Sequence, residues 1–288
     1  MVKDGEGFSL RFEAPRDARL EYKFVRDGEW VLDPKNPKKI DNTVGGENSV
    51  WEGPGYKLRT LEKAPRRPLR RSVVRVGDRD VVVFASKESN GHGVIVYGDG
   101  VNYEKHGKVQ NVVQNLVEAG RIRPVVVVLV QPKDRMSEYG WGWKPHGEFL
   151  FHRVLPAVRK ATGASAKAKD TFLGGSSLGG LVSLRLAEEF PNEVAGGVHS
   201  QSGAFQSIRA IETESAVSES SLRKLARTTR VWLCWGNYEQ ELTDSNRKAA
   251  ATLKKMKRAF GSRTTNEGHT WTSWRNRMVD GLVYLLRD

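Results

Sequence analysis

From about residue 80 to its end, the chain alternates short apolar runs with segments of helical periodicity. The apolar runs, rich in β-branched residues, are "DVVVFAS", "GVIVYGDG", "PVVVVLV", "DTFLGG", "VAGGVHSQ" and "RVWLCWG". The helical segments between and after them are "KVQNVVQNLVEAG", "EFLFHRVLPAVRKATG", "LVSLRLAEEF", residues 243–260 and "WTSWRNRMVDGLVYLL". Continuously apolar strands that alternate with helices are typical of a sheet buried on both faces. The pattern therefore predicts an α/β fold, with a mostly parallel sheet and helices on both faces.

The first part of the chain has a different pattern. Residues 1–56 alternate polar and apolar positions between Gly, Asn and Pro turn markers, and Asp27-Gly28 is a hairpin signal. Residues 57–79 are rich in Lys and Arg, contain two prolines and show no clear period. We therefore expect a small all-β, sandwich-like module over residues 1–56, a basic linker or edge segment over 57–79, and the α/β domain over 80–288.

Composition indicates a soluble, cytoplasmic protein. The longest purely apolar run, residues 125–130, is far shorter than the ~20 residues that a membrane helix needs. The first residues also lack the apolar stretch of a signal peptide. The single cysteine, Cys234, excludes an internal disulfide and agrees with a reducing compartment. Because it lies within "VWLCW", we interpret it as a buried, inert thiol.

The net charge of +13 points to an anionic partner, since a field of that sign concentrates anions near the protein. Basic residues cluster in two segments, residues 57–79 and 247–260. Neither segment interleaves aromatic with basic residues, as proteins that bind single-stranded nucleic acid do. We therefore do not expect nucleic-acid binding, and a small anionic molecule stays open as the partner. The sequence does not indicate an oligomeric state.

The glycine-rich stretch "FLGGSSLGGL" contains a candidate nucleophile. Its residues 175–179 match the G-x-S-x-G pattern, in which a sharp turn from strand to helix exposes the central serine. A short predicted strand precedes the turn and a predicted helix follows it, which is the context that the pattern requires. We therefore predict Ser177 as the nucleophile and expect Ser176 to point away from the cleft.

A serine hydroxyl needs a base that removes its proton, and histidine is the usual one. In hydrolases with this turn the chain order is serine, acid, histidine, which leaves His199 and His269 as candidates. His199 follows Ser177 too closely for an acid on an intervening later strand. His269 lies in a loop before the C-terminal helix, and we predict it as the base.

The loop after "RVWLCWG" offers three carboxylates, Glu239, Glu241 and Asp244. The acid of such a site belongs at the C-terminal end of a strand, where the ligand sites of open α/β sheets lie. Glu239 is nearest to the strand end and is our first choice. Glu241 and Asp244 stay open, and Asp244 could instead cap the following helix.

Several stretches, taken in order, resemble the esterase D and enterochelin-esterase-like family of α/β-hydrolases. The stretches are "YGDGVNY", "DRMSEYG", "EFLFHRVLPAV", "GGSSLGG", "GNYE" and "EGHTWTSW". The resemblance spans residues 80–288, so it implies an α/β-hydrolase catalytic domain there. Many members have Asp at the position of Glu239.

The resemblance also implies particular site residues. It implies a triad of Ser177, Glu239 and His269. It further implies an oxyanion hole formed by the backbone N–H of Leu178 and by an N–H near Gly100 and Val101.

A second Gly-rich loop would lie above the serine and contains Arg135, Tyr139, Trp141 and Trp143. Its aromatic residues could form a wall for the substrate, and Arg135 could hold a carboxylate or catecholate oxygen. A surface ion pair between Arg135 and Glu138 is the alternative, and the sequence does not decide between the two.

The N-terminal segment resembles the β-sandwich modules of glycogen-handling enzymes through "EYKFVRDGEWVLDPKNP" and "DNTVGGENSVW". The resemblance implies that Trp30 could stack on glucan. We expect Trp30 to pack internally instead, because aromatic side chains more often fill cores than bind ligands.

The sequence thus predicts a serine carboxylic-ester hydrolase that acts through an acyl-enzyme, with no metal or organic cofactor. Its expected partner is a small-molecule ester with an aromatic or anionic acyl part, of siderophore or hydroxycinnamoyl type. A short-chain carboxylesterase or a thioesterase is the alternative within this class. A glucan-binding protein without catalysis is the alternative outside it.

Overall fold

The computed structural model describes residues 2–5, 7–9, 11–43, 45–59, 61–206 and 218–287. None of the helices in these residues combines the length and the apolar character of a membrane-spanning segment.

Short antiparallel strands make up the first part of the chain. They are β1 (Val2–Asp4), β2 (Gly7–Ser9), β3 (Arg19–Tyr22), β4 (Phe24–Arg26), β5 (Glu29–Val31), β6 (Lys39–Asp41) and β7 (Glu47–Glu52). β7 lies between β3 and β6, while β1 with β2 and β4 with β5 form hairpins. Between β4 and β5, Asp27 and Gly28 have positive φ angles of 54° and 84°, as a two-residue type I′ turn requires. The predicted hairpin is confirmed, and the division of the chain into a module and a domain stays a prediction.

The following strands join one large sheet. They are β8 (Arg70–Val76), β9 (Arg79–Ala85), β10 (Gly93–Tyr97), β11 (Val125–Leu129), β12 (Thr171–Ser176), β13 (Gly197–Gln201), β14 (Arg230–Gly236) and β15 (Phe260–Thr265). Their order across the sheet is β15-β14-β13-β12-β10-β11-β9-β8. The strands from β15 to β11 are parallel, and β9 and β8 extend the sheet as an antiparallel pair. The predicted mostly parallel sheet is confirmed.

Helices connect these strands. They are α1 (Gly100–Asn102), α2 (Val109–Glu118), α3 (Trp143–Phe149), α4 (Leu155–Thr162), α5 (Leu178–Glu189), α6 (Glu219–Leu222), α7 (Glu241–Lys255) and α8 (Trp271–Leu286). Single turns of wider π-type helix occupy Tyr103–Gly107, Ser137–Trp141 and Leu150–Val154, and a 3₁₀ turn occupies Ala168–Asp170. Gly163, with φ of 71°, ends α4 at the position where the sequence predicts the end of that helix.

The large sheet is buried on both faces. Along β10, Val94 and Val96 pack into a cluster with side chains from α4, α5 and α7. Ile95 and Tyr97, on the opposite face, pack with side chains from α2 and α8. Successive residues of a strand point to opposite faces, so an unbroken apolar run is what a sheet covered on both sides needs.

The end of the helix predicted over residues 243–260 is wrong. α7 ends at Lys255, and the chain then forms β15 at the edge of the sheet. The central residues of β15, residues 262–264, are exposed, so no apolar run marks this strand in the sequence. β8, at the other edge, lies within the segment predicted as a basic linker or edge segment.

Candidate active site

Ser177 lies at the turn between β12 and α5, with φ of 57° and ψ of −123°. This conformation is costly for a residue with a side chain, and it persists only where the surroundings impose it. Hydrogen bonds on both sides of the residue do so. The N–H of Ser177 donates to the Gln201 carbonyl at 2.8 Å, and its carbonyl accepts from the N–H groups of Gly180 and Ala204 at 3.0 and 3.1 Å. The strand–turn–helix context predicted for Ser177 is present.

Two glycines beside the serine are required by close packing of the turn. A Cβ on Gly175 would lie 2.3 Å from the carbonyl group of Gly179, and a Cβ on Gly180 would lie 2.7 Å from Ser200 Oγ. Such contacts would push β12, α5 and β13 apart, so the first and last glycines of the G-x-S-x-G-G sequence have a steric cause. Ser176, the neighbouring serine, is only 1% exposed but belongs to the lining of the same cleft as Ser177, so its expected orientation away from the cleft stays a prediction.

Ser177 lies on an open cleft of about 620 Å³ that also contains His269. The cleft lining from the large sheet and its connections includes Asp99, Arg135, Trp271 and Trp274. These residues come from loops at the C-terminal ends of the parallel strands or from the start of α8, where ligand sites of open α/β sheets lie.

His269 lies in the loop between β15 and α8, with its Nδ1 atom 3.2 Å from Glu239 Oε2. The carboxylate of Glu239 is fully buried. The two alternative acids are placed differently: Glu241 is exposed in the first turn of α7, and Asp244 is 72% exposed, 3.5 Å from Arg247. Of the three carboxylates that the sequence offered, Glu239 is the one brought to His269.

The other carboxylate oxygen of Glu239 has three donors. Its Oε1 atom accepts from Ser202 Oγ at 2.9 Å, from the Gly236 N–H at 2.7 Å and from Arg277 Nη2 at 3.2 Å. Burial raises the pKa of Glu239, but the hydrogen bond with His269 and the charge of Arg277 outweigh burial, so the pKa lies below its usual range. The acid is therefore held ionised and oriented toward the imidazole.

Arg277 was not identified from the sequence. It lies on the buried face of α8, and its side chain is 1% exposed. A buried cation must have a partner, and Glu239 supplies one. An arginine within an otherwise apolar helical face is the signal that could have singled it out.

The other histidine and the cysteine considered from the sequence are buried elsewhere. His199 is fully buried in β13, with Nδ1 2.8 Å from the Tyr97 hydroxyl, and burial lowers its pKa to about 3. Cys234 is fully buried in β14, where burial raises the pKa of its thiol to about 11. Both environments agree with the predictions that Cys234 is an inert thiol and that His199 is not the catalytic base.

The expected oxyanion donors differ in availability. Leu178 is the first residue of α5, so its N–H has no carbonyl partner within the helix. The Gly100 N–H, in contrast, already donates to the Val130 carbonyl at 3.2 Å. The expectation that Gly100 donates to the oxyanion is therefore wrong. The Val101 N–H donates to the side chain of Gln131 at 3.1 Å on the surface, and a movement of that side chain would free it.

Arg135 does not form the ion pair with Glu138 that was the alternative, and its expected role in holding a substrate oxygen stays a prediction. Its Nε atom donates to Asp99 Oδ1 at 2.9 Å, and its Nη2 atom donates to the Ser176 carbonyl at 3.3 Å. Glu138, the alternative partner, instead pairs with Arg79 at 2.6 Å. Arg135 does line the cleft, but its charge is already balanced by Asp99.

The expected aromatic wall is wrong for this loop. Among the residues that the structure describes, the cleft lining includes none of Tyr139, Trp141 and Trp143. Tyr139 is fully buried, Trp141 is 64% exposed, and Trp143 packs against the core. The aromatic residues of the cleft are instead Trp271 and Trp274, whose ring centroids lie 5.0 Å apart. Both tryptophans stand in "EGHTWTSW", one helical turn apart just after His269, and this spacing was the signal that could have found them.

The internal packing expected for Trp30 is wrong as well. Its side chain is 70% exposed on β5. Nothing in the fold tests glucan binding by this residue, and that role stays a prediction.

A serine on a strained turn between strand and helix, at the C-terminal edge of a mostly parallel sheet, defines an α/β-hydrolase. Comparison with protein families then specifies the class. The family model named Esterase, described as "Putative esterase", matches residues 77–285. The chain therefore belongs to this esterase family, and the prediction that it is an ester-hydrolysing enzyme is confirmed.

Individual relatives agree with this assignment. The iron(III) enterobactin esterase of Escherichia coli O6:H1 is 25% identical over 95% of this chain and 72% of its own length. The enterobactin esterase of Shigella flexneri, solved in the presence of 2,3-dihydroxy-N-benzoyl-serine, has a TM-score of 0.73 at 24% identity, covering 89% of this chain and 70% of that one. The feruloyl esterase module of Clostridium thermocellum, complexed with sinapinate, has a TM-score of 0.65 at 14% identity, covering 80% of this chain and 93% of that one. The predicted α/β-hydrolase fold is confirmed.

Proposed function

We propose that the chain is a serine carboxylic-ester hydrolase in which Ser177 is the nucleophile, His269 the base and Glu239 the acid that orients it. One observation carries the proposal. Ser177, held in a strained turn, shares a cleft with His269, whose Nδ1 atom lies 3.2 Å from the buried carboxylate of Glu239. This is the arrangement that activates a serine hydroxyl.

The reaction proceeds by two acyl transfers. Ser177 Oγ attacks the ester carbonyl while His269 accepts its proton, and the tetrahedral oxyanion accepts hydrogen bonds from the Leu178 N–H and from the Val101 N–H once Gln131 has moved. His269 then protonates the departing alkoxide, which leaves the acyl group on Ser177. Water, deprotonated by His269, attacks this acyl-enzyme and releases the acid and the free serine.

The substrate we propose is an ester with an aromatic acyl part, of siderophore or hydroxycinnamoyl type. Trp271 and Trp274 offer aromatic faces beside His269. Relatives that are named as enterobactin and feruloyl esterases support the same class. Lys105 and Arg275 also line the cleft and could attract an anionic group, whereas Arg135 is paired with Asp99.

A cytoplasmic location is part of the proposal and rests on composition. The single cysteine, Cys234, agrees with a reducing compartment.

Hydrolysis of three esters tests the proposed function. Wild-type protein should hydrolyse p-nitrophenyl acetate, and it should act more efficiently on methyl ferulate or enterobactin. Ser177→Ala should abolish turnover of each, whereas Ser176→Ala should keep most of it. A wild-type protein inactive on all three esters, or a Ser177→Ala variant with unchanged activity, would contradict the proposal.

A further inference from the structure

One wall of the cleft comes from the N-terminal strands, outside the large sheet. Its residues, named here the N-terminal wall, are Glu21, Ile40, Asp41, Asn42, Thr43 and Asn48. They lie on β3, on β6 and the loop after it, and on β7. Ser177, His269 and Trp271 belong to the same cleft. A substrate in the cleft that is larger than the reacting ester group would therefore meet both parts of the chain.

The N-terminal strands are bonded directly to the loop that carries His269. The Arg19 N–H donates to the Asn266 carbonyl at 2.9 Å, and Asn266 Nδ2 donates to Asp17 Oδ1 at 2.7 Å. The hydroxyl of Tyr56 donates to Glu267 Oε1 at 2.9 Å. These bonds end two and three residues before His269, so they fix the N-terminal wall relative to the reacting groups.

The N-terminal wall presents oxygen acceptors and amides. Asp41 lies on the edge strand β6, and its Oδ1 atom accepts from the Thr43 N–H at 2.7 Å. Asn42 Nδ2 donates to Asn48 Oδ1 at 3.3 Å. A carboxylate accepts several hydrogen bonds at once. Asp41 can therefore accept a hydrogen bond from a ligand while it keeps the one from the Thr43 N–H.

Asp41 shares the cleft with basic residues from the segment after α1 and from α8. The pKa of His106 is lowered by burial first and by Lys105 next, and the carboxylate of Asp41 acts on the same imidazole in the opposite direction. His106, Lys105 and Arg275 line the same cleft as Asp41. A substrate in the cleft would therefore meet a carboxylate of the N-terminal wall together with basic residues from the other part of the chain.

We propose that the N-terminal wall is a subsite for the part of the ester beyond the reacting bond, and that it binds hydroxyl groups of that part. Carboxylate and amide oxygens accept hydrogen bonds from hydroxyls, and the amide groups donate to them. Catechol hydroxyls of a siderophore ester and sugar hydroxyls of a hydroxycinnamoyl sugar ester share this chemistry. The inference rests on the proposed function, because it concerns the same cleft.

The test compares large esters with a small one in a variant of the N-terminal wall. Wild type, Asp41→Ala and Asn42→Ala would be assayed for kcat/KM on iron-free enterobactin, on a feruloylated arabinose disaccharide and on p-nitrophenyl acetate. Glu29→Ala is the matched control, since Glu29 is an exposed carboxylate on β5 that does not belong to the N-terminal wall.

For Asp41→Ala, the ratio of kcat/KM for one large ester to that for p-nitrophenyl acetate should fall about tenfold, the effect of one lost hydrogen bond. Asn42→Ala should lower the same ratio, and Glu29→Ala should leave it at the wild-type value. The large ester that responds, enterobactin or the feruloylated sugar, identifies the source of the hydroxyls. Unchanged ratios in both wall variants, or equal losses on small and large esters, would overturn the subsite. Failure of the wild type on every ester, small and large, would instead contradict the proposed function itself.

Discussion

Glu239 uses one carboxylate oxygen for His269 and the other for Ser202, Gly236 and Arg277. Replacing it with glutamine should place an amide against the imidazole and favour the wrong tautomer. In serine proteases the corresponding change costs ~10⁴ in kcat. We expect a loss of that order for Glu239→Gln, measured with p-nitrophenyl acetate. Asp244→Asn is the control, and its kcat should stay near that of the wild type. Comparable losses in both variants would show that Asp244, not Glu239 alone, supports the base.

Arg277 should keep Glu239 ionised at low pH. Its charge lowers the pKa of a carboxyl group that burial alone would raise. Arg277→Met removes the cation and leaves the burial, so the pKa of Glu239 should rise. Because the ionised form orients His269, the acid limb of the kcat/KM profile should move to higher pH.

Arg277→Lys retains the positive charge and should restore the acid limb toward its wild-type position. Both variants can also lose stability. Their melting temperatures would show whether a shift of the acid limb comes from partial unfolding or from the pKa of Glu239. An acid limb that stays in place in Arg277→Met would mean that the arginine serves packing only.

The catalytic candidates could be chosen from the sequence because chemistry restricts them. A serine nucleophile needs a base and an acid, and parallel strands bring their C-terminal ends to one edge of the sheet. His269 and Glu239 follow from these two requirements. Arg277 and the placement of Trp271 do not, because their roles depend on how α8 packs beside the acid and the cleft.

At the scale of elements, the docking of the N-terminal strands onto the β15–α8 loop should matter for catalysis. Tyr56→Phe removes the hydrogen bond to Glu267, two residues before His269. We expect a loss of about 1 kcal/mol in stability and a several-fold lower kcat on p-nitrophenyl acetate, since the base is held less firmly.

Tyr22→Phe is the matched control for this prediction. The Tyr22 hydroxyl donates to Asp33 at 2.6 Å, within the N-terminal strands. Its removal should cost similar stability and leave kcat unchanged. If the two variants lowered kcat equally, the docking contact would have no special connection with His269.

The sequence predicts the interior strands of the large sheet more closely than the strands at its two edges. β10 to β14 are buried and appear as apolar runs. β15 and β8 expose part of their residues, so they carry mixed polar sequences that resemble the end of a helix or a linker. Edge strands need less apolar surface, and for that reason periodicity alone does not reveal them.

At the scale of the whole molecule, the net charge of +13 should influence which esters reach the cleft. Salt shortens the range of this field from ~30 Å at 0.01 M to ~8 Å at 0.15 M. For an anionic ester, kcat/KM should therefore fall as salt rises, whereas a neutral ester with the same acyl group should hardly respond. Equal responses of the two esters would show that the charge does not select the substrate.

Arg135 should contribute less to this selection than its charge alone suggests, because it is paired with Asp99. Arg135→Ala should also leave Asp99 without its cation, so the variant mixes two effects. The salt dependence of the wild-type protein is the cleaner measurement of charge selection.

The central claim is that Ser177 is the nucleophile, and covalent labelling tests it most directly. A fluorophosphonate reacts with an activated serine, and peptide mass spectrometry locates the adduct. We predict one adduct on Ser177, retained in Ser176→Ala and absent in Ser177→Ala. An adduct on Ser176 in the wild-type protein, or labelling that persists in Ser177→Ala, would contradict the account.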